Sequence, residues 1–299
     1  MRIALATCTR FPDLHEDDRA LAEALRARGA DVVPAIWNDA RVAWDSFALV
    51  AIRNTWDYHE QRDAFLAWID RVSRVTALAN AKRVIEWNTH KGYLRDLDAR
   101  GIATVPTVWC ARGEPVDLDA ILDAPERAWP VAVVKPAVSA GATDTMRVTR
   151  ENRAAGRELL ARIVTRCDAM IQPYLAAVEG HGERSLLFAG DSYSHSIRKH
   201  ALLAPGAVSP DDQDKGIPSV EASAGEIAFA ARVMAAAKSA TGESFAYARV
   251  DIAPGPSEPL LMELEVTEPS LFLRSDPAAP DRFAEALLAA ANAAQRRRA

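Results

Sequence analysis

The stretch PLLMELEVTEPSLFL, residues 259–273, sets Glu263 and Glu265 two apart inside an apolar run. In a strand successive side chains alternate faces, so the two carboxylates point one way and Met262, Leu264 and Val266 the other. Just upstream, FAYARVDIAPGPSEP (245–259) puts Tyr247, Arg249 and Asp251 on one face and Ala248, Val250 and Ile252 on the other. The connecting APGPSE has the Pro/Gly content of a hairpin turn. Paired, the two strands bring Arg249, Asp251, Glu263 and Glu265 onto one surface. One reading is a strand with a solvated face, on which charges sit freely. The other follows from repulsion, because crowded carboxylates need a cation. Hard divalent ions such as Mg²⁺ take carboxylate oxygens and share their remaining shell with phosphates and water. The hairpin thus reads as a magnesium site facing a nucleotide, with Arg249 suited to transferring-phosphoryl charge.

Composition narrows the class. A chain of 299 residues, 49% hydrophobic, can bury a sizeable core in two or three lobes. The net charge of −5 suggests neither a nucleic-acid nor a membrane surface as partner. Met1 leads straight into the apolar run RIALATC, so no signal peptide is expected. No run of about 18 apolar residues offers a membrane span. Cys8, Cys110 and Cys167 are isolated, which fits a reducing cytoplasm and gives neither a disulfide framework nor a zinc site.

The first 80 or so residues alternate strand and helix: RIALAT, the amphipathic DDRALAEALRARG closed by Gly29, DVVPAIW, FALVAIRN and the helical QRDAFLAWIDRVSR. That alternation predicts a parallel α/β lobe. Neither a G-x-G-x-x-G fingerprint nor a P-loop occurs, so a nucleotide must be held differently. Next, Asn88 or Thr89 is expected to cap a helix running to Arg100, with Lys91 in its first turn. WPVAVVKPAVSAGATDTMRV then reads as a buried strand, a small-residue loop and a second strand; a helix (153–166) and the strand AMIQPYL follow. GERSLLFAGDSYSHSIRK predicts an antiparallel hairpin turning at Gly190 and Asp191. Residues 201–220 read as a polar mobile loop, and an Ala-rich helix spans about 224–241.

Lys91 and Lys135, each unremarkable alone, form a phosphate grip when combined with the loop from Ser139 through Gly141 to Thr143. Lysines supply point charges, and a loop poor in side chains lets backbone N–H groups approach phosphate. Glu179 and Glu183 are placed to accept from ribose hydroxyls, or else are solvated loop residues. Arg198 and Lys199 read either as surface charges or as further phosphate contacts.

Taken in order, these features resemble the ATP-grasp superfamily across roughly residues 85–275. The resemblance rests on Lys91 ahead of the GIATVPT segment, the VVKP lysine Lys135 with its loop, and the strand from Gln172 to Leu175. It continues through Glu183, the SIR arginine Arg198, ARVD and MELE. It implies an α/β ATP-grasp fold: an N-terminal parallel lobe that binds substrate (1–84), a central lobe (85–172) and a C-terminal lobe with the metal site (173–299). Lys91, Lys135, Ser139 and Gly141 would hold ATP phosphates. Gln172, Tyr174 and Leu175 would surround adenine, and Glu179 and Glu183 would hold ribose. Asp251, Glu263 and Glu265 would bind magnesium, two ions in the superfamily pattern with manganese as an alternative. Arg198 and Arg249 would be catalytic, stabilising the transferring phosphoryl group and the acyl phosphate. Gln172 stands where relatives commonly carry Glu, and Glu265 where many carry Asn.

Such enzymes activate a carboxylate as an acyl phosphate, which an amine then attacks. Substrate choice falls to the loops after the first and third strands, at the carboxyl ends of a parallel sheet. There Arg53 is expected to clamp a carboxylate, with Asn54, Thr55, Trp56 and Asp57 shaping a polar pocket and Ser270 touching the substrate. Alternatively, Trp56 and Tyr58 only pack against the middle lobe. RNTWDYHEQRDAFLAW and the MELEVTEPSLFL tail are most similar to the cyclo-ligases that close O-ureido-D-serine, which implies one small amino-acid-like substrate attacked by its own nitrogen. Two alternatives remain: an intermolecular amino-acid or peptide ligase, and a nucleotide-binding regulator without catalysis. The complete set of lysines, arginine and carboxylates argues against the regulator. A homodimer is common in such enzymes, and no interface is legible in the chain.

Overall fold

Strand β1 (Arg2–Thr7) sends Ile3 and Leu5 into one core and Ala4 and Ala6 into another, the period-two pattern of a strand covered on both faces. It is followed by α1 (Glu16–Ala27), β2 (Asp31–Ile36), β3 (Leu49–Asn54), α2 (Arg62–Val75) and β4 (Ala77–Leu78). These strands form a parallel sheet in the order β2-β1-β3-β4, as the strand–helix alternation predicts. The computed structural model describes residues 1–127, 129–199, 203, 217 and 219–298. Most of the 201–220 segment, read above as a mobile loop, lies outside the described residues.

The middle of the chain supplies α3 (Lys82–Asn88), α4 (Tyr93–Asp98), β5 (Val108–Cys110), α5 (Leu118–Leu122), β6 (Ala132–Pro136), β7 (Met146–Val148), α6 (Arg153–Val164) and β8 (Ala169–Pro173). Its four strands form an antiparallel sheet, β5-β8-β6-β7. Ala132 and Val134 of β6 and Ala169 and Ile171 of β8 pack against α6. Their alternating neighbours Val133, Lys135 and Gln172 line a cavity instead. Here the helix expected over 88–100 is shortened, and another, α3, precedes it. Thr89 ends α3, its N–H donating to the Ile85 carbonyl, and α4 begins only at Tyr93. The reason is that Asn88 is committed elsewhere. Its side chain donates to the Leu264 carbonyl and accepts from the Val266 N–H and the Thr267 hydroxyl, acting as an extra strand edge. Lys91 therefore lies in the linker between helices.

The last part contains α7 (Ala177–His181), β9 (Glu183–Ala189), β10 (Ser192–Lys199), α8 (Ala224–Thr241), β11 (Tyr247–Ala253), β12 (Leu260–Glu265) and α9 (Ala279–Arg298). A third sheet runs β10-β9-β11-β12, all antiparallel. Helix α8 opens on a capping box between Ser223 and Glu226 and closes on left-handed Gly242, textual signals that match its expected span. Its Phe229, Val233 and Met234 cover Leu186, Val250, Ile252 and Leu264. Helix α9, grouped by sequence with the third lobe, shares its core with the first sheet: Phe283, Leu287 and Ala291 pack with Ile3, Leu5 and Leu21. Among the described residues no helix is long and apolar enough to cross a membrane.

A bulge in the β11–β12 hairpin corrects one expectation. Asp251 lies opposite Glu263, but Ile252 lies opposite Leu261, so Met262 is the extra residue. Met262 consequently lines the cavity beside Glu263, while Leu261 and Leu264 enter the core.

Asn80 ties the sheets together just as Asn88 does. Its side chain donates to the Tyr247 and Val266 carbonyls at 3.0 and 2.6 Å and accepts from the Ala246 N–H at 2.7 Å. Asn80→Ala strands three buried backbone groups and is expected to cost about 2–4 kcal/mol. Urea unfolding should report this as a lower midpoint with an unchanged slope.

Candidate active site

A cavity of about 920 Å³ lies where the three sheets meet. One wall is the face of β11 and β12. Arg249 donates from Nε and Nη2 to the Asp251 carboxylate at 2.9 Å each, from Nη2 to Glu265 at 2.5 Å, and from Nη1 to the Ser270 carbonyl at 3.3 Å. Lys199 Nζ pairs with Asp251 at 2.9 Å and also with Glu183. Ser185 completes the set, its hydroxyl donating to Asp251 at 2.6 Å. Lys91 Nζ lies 2.8 Å from Glu263 and donates to the Ser139 carbonyl at 3.2 Å. One oxygen each from Asp251, Glu263 and Glu265 falls within 4.8 Å of the others. These are hard donors on two adjacent strands, the chemistry that suits Mg²⁺ or Mn²⁺.

Burial and charge pull these carboxyls apart. Burial would raise Asp251, yet Arg249 and Lys199 hold it below the usual carboxylate range. Glu263 is held down as well, because Lys91 and Lys135 outweigh its burial. Glu265 is pushed up to about 7 by burial, against the pull of Arg249 and with Glu263 and Asp251 adding to the rise. Burial also lowers Lys135, which has no hydrogen-bonded or ion-paired partner among the described residues. Half-buried, with only the fields of Glu263 and Glu183 to offset that burial and no direct ion pair, Lys135 is poised for an anion.

The opposite wall belongs to the central sheet. Ser139, Gly141, Gln172, Tyr174 and Leu175 all line the cavity, as expected for a nucleotide site. In the small-residue loop Gly141, Ala142 and Asp144 have φ of +59°, +58° and +53°, a left-handed run that turns the backbone sharply toward the cavity rim. Gln172 donates to the Thr107 hydroxyl at 2.8 Å, and Arg147 sits 4.5 Å over the Tyr174 ring. Glu183 reaches the cavity but is paired with Lys199.

Several expected site residues lie elsewhere. The Arg198 guanidinium donates to the Gly180 carbonyl on the exposed side of β10, packed over Gly182, where any Cβ would meet its side chain at 2.7 Å. Strand alternation gives the cavity position to its neighbour Lys199. Glu179 turns away to accept from the Tyr174 hydroxyl at 2.8 Å. Arg53 is fully buried. Its Nε donates to Asp18 at 2.6 Å and its Nη2 to the Pro269 carbonyl at 2.7 Å, so it has no reach toward a substrate carboxylate. Asn54 serves the same network, donating to Asp18 and accepting from the His15 N–H. Thr55 is buried outside the cavity, its hydroxyl without a partner among the described residues. Trp56, Asp57 and Ser270 do line the cavity, and Trp56 Nε1 donates to the Glu268 carbonyl at 3.0 Å. Trp56 packs edge-on with Phe11 at 5.1 Å, beside His15. Tyr58 also reaches the cavity, while its ring packs on Phe65 of α2 rather than on the middle lobe.

Sequence reading missed Ser185, Lys199 as the paired lysine, and Glu268. The first two were open to discovery, since the hairpin turn at Gly190 sets Lys199 opposite Glu183 and brings Ser185 beside Asp251. Glu268 lies beyond the strand, where periodicity says nothing.

Solved structures share this architecture. An ATP-grasp protein with a RimK domain from Sphaerobacter thermophilus superposes with a TM-score of 0.71 at 17% identity, over 96% of this chain and all of that one. D-alanine–D-alanine ligase from Bacillus anthracis, complexed with ATP, gives 0.68 at 15% identity over the whole of both chains. The fold is therefore ATP-grasp, with a carboxylate cluster, Lys91 and Lys135 lining one cavity. A family profile described as the N-terminal domain of D-cycloserine synthetase DcsG matches residues 3–80. The cycloserine biosynthesis protein DcsG of Streptomyces lavendulae is 33% identical over 298 residues, 95% of this chain and 97% of that one. A crystal structure of D-cycloserine synthetase DcsG superposes with a TM-score of 0.89 at 31% identity over 98% of this chain and all of the other. The chain belongs to the DcsG family.

Beside the cavity, Asp17 accepts the Arg274 N–H at 3.0 Å and is raised to about 6 by burial and by its neighbour Asp18. A raised acid favours its protonated form in the folded state. Its contribution is therefore fully present below an unfolded pKa of about 4 and lost as pH rises through 6. Asp17→Asn keeps the acceptor and removes that loss. At 1.36 kcal/mol per pKa unit, the variant should gain about 2–3 kcal/mol on the parent between pH 4 and pH 7. Denaturant midpoints across that range check it.

Proposed function

We propose that this protein closes O-ureido-D-serine into D-cycloserine, using ATP and releasing ADP, phosphate, carbon dioxide and ammonia. The observation that carries the reading is the half-buried Lys135, without an ion-paired partner among the described residues, lining the same cavity as the Asp251, Glu263 and Glu265 cluster in a chain of the DcsG family. Lys91, Lys135 and the backbone of the Ser139–Gly141 turn would receive phosphate oxygens. Tyr174 and Leu175 would flank adenine. Asp251, Glu263 and Glu265 would hold magnesium, two ions being the number that so many oxygens suit, with manganese as a substitute. Magnesium bound there would neutralise phosphate charge and align the terminal phosphoryl group.

The substrate carboxylate attacks that phosphoryl group, ADP leaves, and a poor electrophile becomes an acyl phosphate. Arg249 supports this transfer, since its guanidinium spans Asp251, Glu265 and the Ser270 carbonyl and so is fixed before substrate arrives. Lys199 belongs to the same support, in the place expected of Arg198. The nitrogen bonded to oxygen in the ureido group then attacks the acyl carbon. Phosphate departs and the five-membered ring closes. The carbamoyl group leaves the ring nitrogen with one water, as carbon dioxide and ammonia. Phe11 and His15 after β1, with Trp56 after β3, would fold the substrate into the attacking conformation and exclude water, the positioning share of catalysis.

ADP release is the direct assay, offering O-ureido-D-serine alone against single and paired amino acids. Turnover with the ureido substrate alone and a cyclic product is expected. Turnover only with an added amine would make this an intermolecular ligase. Binding of ATP without ADP release on any carboxylate would leave a regulator. Glu263→Gln should reduce kcat by at least about 100-fold, since it would remove a metal ligand; the protein should still fold, with a lower unfolding midpoint because Lys91 loses its partner. Wild-type turnover in that variant would sink the metal assignment.

A further inference from the structure

Glu268 stands apart from the other acids of the site. The residue is 8% exposed and lines the cavity, yet its carboxylate has no hydrogen-bonded or ion-paired partner among the described residues. Every neighbouring cation but Lys135 is committed: Lys91 to Glu263, Arg249 to Asp251 and Glu265, Lys199 to Asp251 and Glu183. Its backbone is fixed from outside the sheet. Trp56 Nε1 holds the Glu268 carbonyl and Arg53 Nη2 holds that of Pro269. An acid so held, buried and unpaired, is costly unless something in the cavity completes it.

We infer that Glu268 is the receptor for the positively charged amino group of the substrate. The inference rests on the amino-acid-like substrate proposed above. An α-ammonium sits one carbon from the carboxylate to be phosphorylated, so its receptor must flank the phosphoryl site without being part of it. Glu268 does so, following the metal strand by three residues and feeling the fields of Glu265, Lys91, Glu263 and Arg249. Burial and Glu265 push its carboxyl up to about 8, the state of an acid whose counter-ion has yet to arrive. A neutral ureido group would not compensate that burial; a primary ammonium, with three donors and a full charge, does. Glu268 thus selects amino acids over simple carboxylic acids.

The test compares O-ureido-D-serine with 3-(ureidooxy)propanoate, in which hydrogen replaces the ammonium, in ADP release by wild type, Glu268→Gln and Glu268→Asp. Wild type should favour the amino compound by about 10–100-fold in kcat/KM, the range of one charge-assisted contact. Glu268→Gln should lose most of that preference through KM, with kcat, the KM for ATP and the magnesium requirement near wild type; Glu268→Asp should recover part of it. Calorimetric binding of a non-hydrolysable ATP analogue confirms that each variant is folded. An undiminished preference in Glu268→Gln overturns the inference. So does a fall in kcat at constant KM, which marks a proton acceptor, or a shifted magnesium dependence, which marks a metal ligand. If wild type ignores O-ureido-D-serine, the proposed reaction has failed by itself. The same amino versus des-amino comparison is then run on whichever amino acid it accepts, with the same outcomes deciding.

Discussion

Mutual neutralisation of buried charge on the β11–β12 hairpin is the constraint on which the rest depends. Asp251 is 1% exposed and could not remain ionised there without Arg249 and Lys199 at hydrogen-bond distance. Those cations come from two different strands, so the charge network also specifies how β9 and β10 align with β11. Lys91 extends the network to the linker between α3 and α4, and Asn88 fixes that linker along β12. Removing any member leaves another buried charge unpaired, an outcome more costly than losing the pair entirely. The arrangement therefore behaves as a unit.

The same logic shapes residues 268–270, which follow β12. Three successive carbonyls are held by three side chains: Glu268 by Trp56, Pro269 by Arg53, and Ser270 by Arg249. The first two donors come from the end of β3 and the loop after it, the third from β11. The segment is thus clamped between the first and third sheets. Phe272 then adopts a left-handed φ of +47°, a conformation L-residues rarely take, with its carbonyl near His195 Nε2 at 3.2 Å. A segment held this firmly presents its side chains to the cavity in fixed positions. Arg53 accordingly acts on the site through the backbone, not by touching ligand.

Much of this was legible in the chain. Period-two alternation located the acidic hairpin, strand–helix alternation the parallel first sheet, and an apolar run the Lys135 strand. The Ala-rich run located α8 over its observed span. Legibility ended where tertiary contacts override local pattern. Asn88 looks like a helix cap, but its side chain is spent on β12 and the helix breaks there. Arg53 looks like a carboxylate clamp, yet Asp18, thirty-five residues away, claims it. Arg198 and Lys199 are adjacent, and only the register against Glu183 decides which one faces inward. The bulge that turns Met262 toward the cavity likewise leaves no mark in the composition.

That Arg53 is spent on structure bears on how a small substrate would be held. A carboxylate entering the cavity meets no arginine from the end of β3, whereas the guanidinium of Arg249 lines the cavity beside the carboxylate cluster. In the reaction proposed above, its charge would be met where it reacts rather than at a remote clamp, which would favour binding energy expressed as the acyl phosphate forms. Orientation then falls to whatever else the substrate carries. Glu268 beside the reacting end and the rings of Phe11, His15 and Trp56 beyond it offer one charged and one planar contact surface. A single molecule bearing an ammonium, a carboxylate and a flat ureido group uses all three at once. Two separate reactants would have to divide them.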